Sequence, residues 1–397
     1  MSQIKIIGIA AEYDPFTNGH AEHIRRTRSA LGEDCAVVCV MSGSFTQRGE
    51  PACLGKFARA RAAVEGGADL VLELPTDFAL ASAERFAFGA ASVLDALGCV
   101  DAMSFGSESG DAAELAEIAG VLLDPEIDSL IRAELALGAP YAAARQRAAE
   151  KLSGRKLPAL GRPNDILAIE YIKALRRLGS GVEPVAILRE GAHDADDPRF
   201  PSASVLRAAL RRGGSVDGMT PPACAETIRA EIEAGRAPVS SEALETAVLA
   251  RLRSMKQEDF IALPDSGDGL AERMLKAASR ARTLAELYEL TKTRRLAMSR
   301  IRRAVMCAFL GVTAESRAAS PLYIRVLAAG VKGRAVLKKK TRRLPLVTKA
   351  ASAKKLDEAA LSEFMLDVRA SDLRNLARPS AEQRVAGEDW LTSPYMA

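Results

Sequence analysis

Histidine and aromatic side chains are scarce in this 397-residue chain, which holds three histidines, one tryptophan and 5% aromatic residues overall. Its six cysteines (Cys35, Cys39, Cys53, Cys99, Cys224 and Cys307) contain no CxxC pair. With so few histidines, a closely spaced zinc ligand set is absent and no metal site is expected. The scattered thiols do not form a disulfide framework either, and buried reduced cysteines are the expectation. No apolar run is long enough to span a bilayer, and the start lacks a basic segment followed by a cleavable apolar one. A cytoplasmic protein without a membrane partner is therefore expected. Also missing are GxxxxGK[ST], GxSxG, HExxH and a GxGxxG after a strand, which removes the chemistries that those loops build.

What is present begins with an ordinary balance of 48% hydrophobic and 27% charged residues. The length suggests two or three domains. A net charge of +4 conceals a strong asymmetry. From Leu290 to Lys355, 18 Lys and Arg face one acid, Glu315, giving +17, while the remainder, with 37 basic and 50 acidic residues, carries −13. Self-repulsion on that scale favours a polyanionic partner for this part of the chain. Solvated helix faces are the alternative.

Strand-like and helix-like segments alternate through the first half. Ile4 to Ile9 reads as a strand and His20 to Leu31 as a helix; Cys35 to Met41 reads as a second strand, followed by a loop and a helix over Lys56 to Glu65. Asp69 to Pro75, Ala102 to Phe105 and Val182 to Leu188 read as further strands, with helices from Ser82 to Leu97 and over much of Asp111 to Leu178. Such alternation predicts an α/β fold, a Rossmann-like, doubly wound parallel sheet with its strand-end loops on one edge. Glycine, serine and two prolines between Gly213 and Pro222 mark a boundary. We divide the chain there into a domain of residues 1–215 and a mainly helical, basic domain of residues 216–397, in which no strand is expected.

The stretch Ile4 to His23, IKIIGIAAEYDPFTNGHAEH, organises the rest. A β-prone run leads through a turn with Pro15, Asn18 and Gly19 into a helix start, where free N–H groups and the helix dipole favour phosphate. Gly19 lets a ligand approach the backbone. Two of the three histidines, His20 and His23, stand one helical turn apart here. Thr17-Asn18-Gly19-His20 resembles the T/HxGH signature of nucleotidyltransferases, which attack the α-phosphorus of a nucleotide. A solvent-facing turn is the alternative reading of this tetrapeptide alone.

AEYDPFTNGHAEH, MSGSFTQRGEP, GADLVLELP with SAERFAFGA, FGSE, GRPNDILAIEY and PSASVLR, taken together, resemble one family, the tRNA(Met) cytidine acetate ligases. The resemblance runs from the first strand to about Arg212, and the basic tail is similar in character. It implies ATP as substrate, magnesium on its phosphates, and acetate and elongator tRNA(Met) as partners, with no protein partner. Acetate would be activated as acetyl-adenylate, and its acetyl group passed to N4 of the wobble cytidine. His20 and Arg207 would be catalytic, stabilising charge as pyrophosphate departs. Many relatives carry histidine where this chain has Thr17, which leaves one imidazole fewer.

The resemblance further implies that Ala10, Ala11, Glu12, Tyr13, Pro15, Phe16, Thr17, Asn18, Gly19, His20 and His23 border the nucleotide. Gly106, Asn164, Arg189 and Glu190 would contact it from other strand ends. Ser202 and Ser204 would hold its outer phosphates together with the Arg207 guanidinium. Each has a plainer alternative: Gly106 as a turn, Asn164 and Ser202 as helix caps, Arg189 in a salt bridge. Arg48, Lys56 and Arg59 suit phosphate or carboxylate, or a solvated helix face. Within the basic run, Arg294, Arg295, Arg302, Arg303, Lys338, Lys339, Lys340, Arg342 and Arg343 are the RNA-contact candidates. Two other classes of function remain open from sequence: a small-molecule adenylyltransferase resembling the pantetheine-phosphate enzymes, and a non-catalytic RNA-binding protein on a nucleotide-binding fold.

Overall fold

Apolar runs of five to seven residues form the centre of a computed structural model that describes residues 4–189 and 199–397. β1 (Ile6–Ala11), β2 (Ala36–Ser42) and β3 (Leu70–Leu74) pair in parallel in that order. β2 and β3 are buried along their whole length, as expected for strands covered by helices on both faces. The chain then returns to the other side of β1 with β4 (Ala102–Ser107) and β5 (Glu183–Leu188), again parallel. Strand order therefore reverses between β1 and β4, the place where open α/β sheets bind ligands. Pairing of β1 with β4 is confined to Ile7↔Ala102 and Gly8↔Met103. Both strands continue beyond it, which leaves a crevice at their carboxyl ends.

The helices follow the expected segments. α1 (Asn18–Leu31) starts two residues earlier than the sequence suggested, and α2 (Lys56–Glu65) spans the expected residues. Among the described residues no helix is long and apolar enough to cross a membrane, and all six cysteines are unpaired, five of them buried.

The expectation of no strand after Pro222 is corrected. β6 (Ile324–Ala329) adds to β3 antiparallel, and two-residue β7 (Leu346–Val347) and β8 (Tyr395–Met396) flank β6. The sheet thus continues across residue 215, although the second half is otherwise mainly helical. Loops from the first half enter the helical core in turn: Phe45 and Leu80 are buried among Leu252, Phe260, Ile301 and Val305.

A buried ionic cluster joins the halves. Lys56 Nζ lies 2.7 Å from Glu73 and 2.6 Å from Asp389, and Arg325 lies 2.7 Å from Asp389 and 3.4 Å from Glu73. All four side chains are at most 3% exposed, and two positive charges face two negative ones. Arg59 is equally buried, donating to the Glu12, Gly43 and Leu54 carbonyls. Lys56 and Arg59 are therefore neither a solvated face nor phosphate ligands.

Candidate active site

Thr17 is the N-cap of α1, and its hydroxyl accepts the His20 N–H. Reciprocally, the Thr17 N–H donates to His20 Nδ1 at 3.0 Å, so histidine completes a capping box usually closed by Glu or Gln. Because Nδ1 accepts, a neutral His20 carries its proton on Nε2. Burial, with the positive charge of Arg189 next in size and His23 last, pulls the His20 pKa down to about 3. Burial and Arg189 likewise bring His23 to about 4, and His23 Nε2 meets Ser104 Oγ at 3.1 Å. At neutral pH the site therefore presents an uncharged Nε2–H donor. Tyr13 and Phe16 hold the His20 ring, with centroids 4.9 and 5.5 Å away.

Tyr13 has a left-handed φ of 47°, which turns the chain sharply after β1 and brings Pro15 and Phe16 under α1. A Cβ on Gly19 would meet nothing closer than Thr17 Oγ1 at 3.6 Å, so no internal contact demands glycine there. The Asn18 N–H is taken by the Met219 carbonyl, whereas the Gly19 N–H has no partner among the described residues. Among the described residues it is left open toward an anion.

The second signature lies against the first. Ser202 caps the helix Ala203–Arg211, its hydroxyl 2.7 Å from that of Ser204. Arg207 Nη1 donates to the Asp14 carbonyl at 2.6 Å, and Asn18 Nδ2 to the Gly218 carbonyl at 2.7 Å. Ser202, Ser204 and Arg207 line a cavity of about 140 Å3 with Glu12, Asp14, Thr46, Arg48 and Glu50. The loop after β2 supplies three of those residues. None of the three carried an assignment from the family pattern, although Arg48 was noted for its charge.

From the β4 side, Gly106 lets Arg189 lie across the strand end, since a Cβ would come within 3.1 Å of the arginine stem. Arg189 Nη1 donates to Asn164 Oδ1, and Asn164 gives both its N–H and Nδ2 to Glu108. Asn164 is not the cap of its helix, Pro163–Arg177; Arg162 occupies that position and Glu108 receives the first free N–H groups. Sequence reading gave Glu108 no role. An acid ending a strand before a Pro-started helix is the signal that was available. Ala10 and Ala11 end β1, beside the crevice. Glu190 lies outside the described residues.

The basic candidates divide between the two ends of the sheet. Arg302 pairs with Glu50 at 2.6 Å and Arg303 donates to the Gln47 carbonyl, both in the loop after β2 at the carboxyl edge. Gly49 (φ 77°) allows this contact, because a Cβ there would lie 2.5 Å from the Arg303 nitrogen. Arg294 and Arg295 are exposed just before that helix, Met298–Leu310. Lys338 to Arg343 sit elsewhere. Thr341 bonds the Leu97 carbonyl and the Arg343 N–H the Ala96 carbonyl, in the connection that enters β4 at the amino edge. Lys338, Lys340, Arg342 and Arg343 are exposed there and Lys339 is half-buried.

Comparison with known proteins bears directly on this arrangement. Residues 4–389 match the family model described as HIGH Nucleotidyl Transferase. A tRNA(Met) cytidine acetate ligase of Acetivibrio thermocellus is 37% identical over 409 residues, covering 98% of both chains. That of Syntrophotalea carbinolica is 40% identical over 87% of this chain and 85% of its own. The crystal structure of Thermotoga maritima TmcAL bound with alpha-thio ATP superposes with a TM-score of 0.92 at 34% identity, covering 99% of each chain; an apo form gives 0.94. Similarity of sequence and fold thus extends through both signatures and the basic second half alike, and the chain belongs to the tRNA(Met) cytidine acetate ligase family of HIGH nucleotidyl transferases.

Proposed function

We propose that this chain activates acetate with ATP and transfers the acetyl group to N4 of the wobble cytidine of elongator tRNA(Met), forming N4-acetylcytidine in the cytoplasm. An acetate oxygen attacks the α-phosphorus and pyrophosphate leaves; the cytidine amine then attacks the acetyl carbon and AMP leaves. The observation that supports this reading is that one turn after β1 carries both the neutral His20 Nε2–H and the Asp14 carbonyl that Arg207 grips, so the two signatures meet there, in a chain whose relatives bear that name.

Carboxylate is a poor electrophile, so its activation depends on a departing pyrophosphate whose charge is stabilised where it develops. A neutral imidazole donor and a guanidinium do this without proton transfer. The wider contact set named from the resemblance, Ala10 to His23 with Gly106, Asn164, Arg189, Ser202 and Ser204, belongs to the proposal. So do the nine basic residues as RNA contacts. No group of three His, Cys, Asp or Glu among the described residues could hold a metal ion. Magnesium belongs to this reading as the counter-ion that ATP carries on its phosphates.

Acetate-dependent exchange of labelled pyrophosphate into ATP tests the first half. Exchange that requires acetate and collapses in His20→Ala is the expected result. Its absence in the wild type, repeated with tRNA present, would overturn the ligase reading and favour a non-catalytic RNA-binding protein.

A further inference from the structure

Acetyl transfer to an exocyclic amine releases a proton, and among the described residues the site offers few groups able to take it. The single lone pair of neutral His20 is occupied by the Thr17 N–H, and its other nitrogen carries a proton. His23 Nε2 is engaged with Ser104. Asp14 accepts the Cys53 N–H and faces Arg207, Glu50 pairs with Arg302, and Glu108 is taken by the start of the helix Pro163–Arg177.

Glu12 differs from all of these. It directly follows β1 and lines the cavity beside Arg207. Its carbonyl receives Arg59 Nη1 at 2.6 Å and its Oε1 receives the Gln47 N–H at 2.6 Å, so main chain and side chain are both fixed. Oε2 has no hydrogen-bond partner among the described residues and is not one of the sealed, unsatisfied atoms. The Gln47 that holds Glu12 also gives its carbonyl to Arg303, so an RNA tracking Arg302 and Arg303 reaches the crevice on the Glu12 side.

We propose that Glu12 Oε2 accepts the proton of the attacking amine in the acetyl-transfer step. The nitrogen lone pair forms the C–N bond, the bond between the acetyl carbon and the phosphate oxygen breaks, and its electron pair leaves on AMP. The proton moves from nitrogen to Glu12 and then to solvent. This inference rests on the reading given under Proposed function. Burial holds the Glu12 carboxyl above the usual carboxylate range, which improves it as a base. The charged and titratable groups facing it are Asp14, Arg48 and Glu50 from the loops, Arg59 from α2, Arg207 from the helix Ala203–Arg211, and Tyr171 from the helix Pro163–Arg177.

Single-turnover transfer from enzyme-bound acetyl-adenylate to tRNA, compared with pyrophosphate exchange, tests the assignment in Glu12→Gln and Glu12→Asp. The amide keeps the Gln47 contact and removes the base. As a neighbour of the nucleotide, Glu12→Gln should slow exchange as well, but transfer should fall at least about tenfold further than exchange does. The wild-type transfer rate should rise with pH through the ionisation of Glu12 and then level off. Glu12→Gln should lose that rise, and Glu12→Asp should keep it. Transfer within about threefold of wild type, or equal losses in both steps, would overturn the role. A wild type that exchanges pyrophosphate but never acetylates tRNA would instead sink the functional reading beneath it.

Discussion

Acidification from pH 7 to pH 5 should leave both histidines of the first signature uncharged and cost the folded chain stability through them. In an unfolded chain each titrates near 6.5, whereas in the fold they titrate at about 3 and about 4. Between those values the unfolded chain holds protons that the folded one does not. Stability from this source is complete above 6.5 and is lost as the pH falls toward the folded pKa values. At pH 5, 1.5 units below the unfolded value, the loss is about 2 kcal/mol for each histidine and about 4 for the pair. Glu73 and Glu363, which burial lifts to about 7 and about 8, act in the opposite sense. The informative quantity is therefore the difference between wild type and His20→Asn/His23→Asn, measured by urea unfolding at both pH values. With three histidines in the chain, NMR of 13C-labelled histidine gives a direct check, two signals holding their neutral shifts from pH 8 to pH 5. Titration of those two near 6.5, or equal acid losses in wild type and variant, would refute the uncharged Nε2–H donor.

Two further outcomes follow from charge placement. Lys56→Met leaves Glu73 and Asp389 with Arg325 as the remaining cation and should cost about 3–5 kcal/mol, read as a lowered Tm; a shift worth less than about 1 kcal/mol would mean that water reaches the cluster. Removal of charge at Lys338, Lys339 and Lys340 should flatten the salt dependence of tRNA binding by about 0.9 for each lost phosphate contact, as should Arg294→Ala and Arg295→Ala; unchanged slopes would exclude those residues as RNA contacts.

The first signature was legible because its physics is local. An apolar run, a turn and a Thr-x-x-His spacing determine strand, cap and imidazole orientation within eighteen residues. The bounds of α2 were equally local, yet the roles of its cations were not. Lys56 read as surface because nothing nearby in sequence covers it; its cover is Asp389 and Arg325, some 270 to 330 positions away, whereas Arg59 is drawn inward by the Glu12, Gly43 and Leu54 carbonyls of loops whose course the sequence does not display. β6 was missed for the same reason. A single alanine-rich strand with Arg325 inside it carries a weak period-two signal, and its charge becomes tolerable through Glu73 and Asp389. Of the two readings of Asn164, the helix cap falls away, since Pro163 rather than Asp165 opens the helix and Arg162 is its cap.

The basic run is split between the two ends of the sheet, and the proposed RNA contacts are split with it. Arg302 and Arg303 touch the loop that holds Glu12 at the carboxyl edge, whereas Thr341 and Arg343 are tied to the connection entering β4 at the amino edge. A six-residue strand such as β4 spans about 20 Å, so the two sets are separated by at least the depth of the sheet. A short unstacked loop that offers its base to the crevice cannot also reach Lys338 to Arg343. A folded RNA with arms on both sides of that base can. On the proposed RNA contacts, charge at the amino edge would favour a whole folded tRNA over an isolated loop, and the reacting base would be met at the carboxyl edge, where Glu12, Gln47 and the arginine helix lie together.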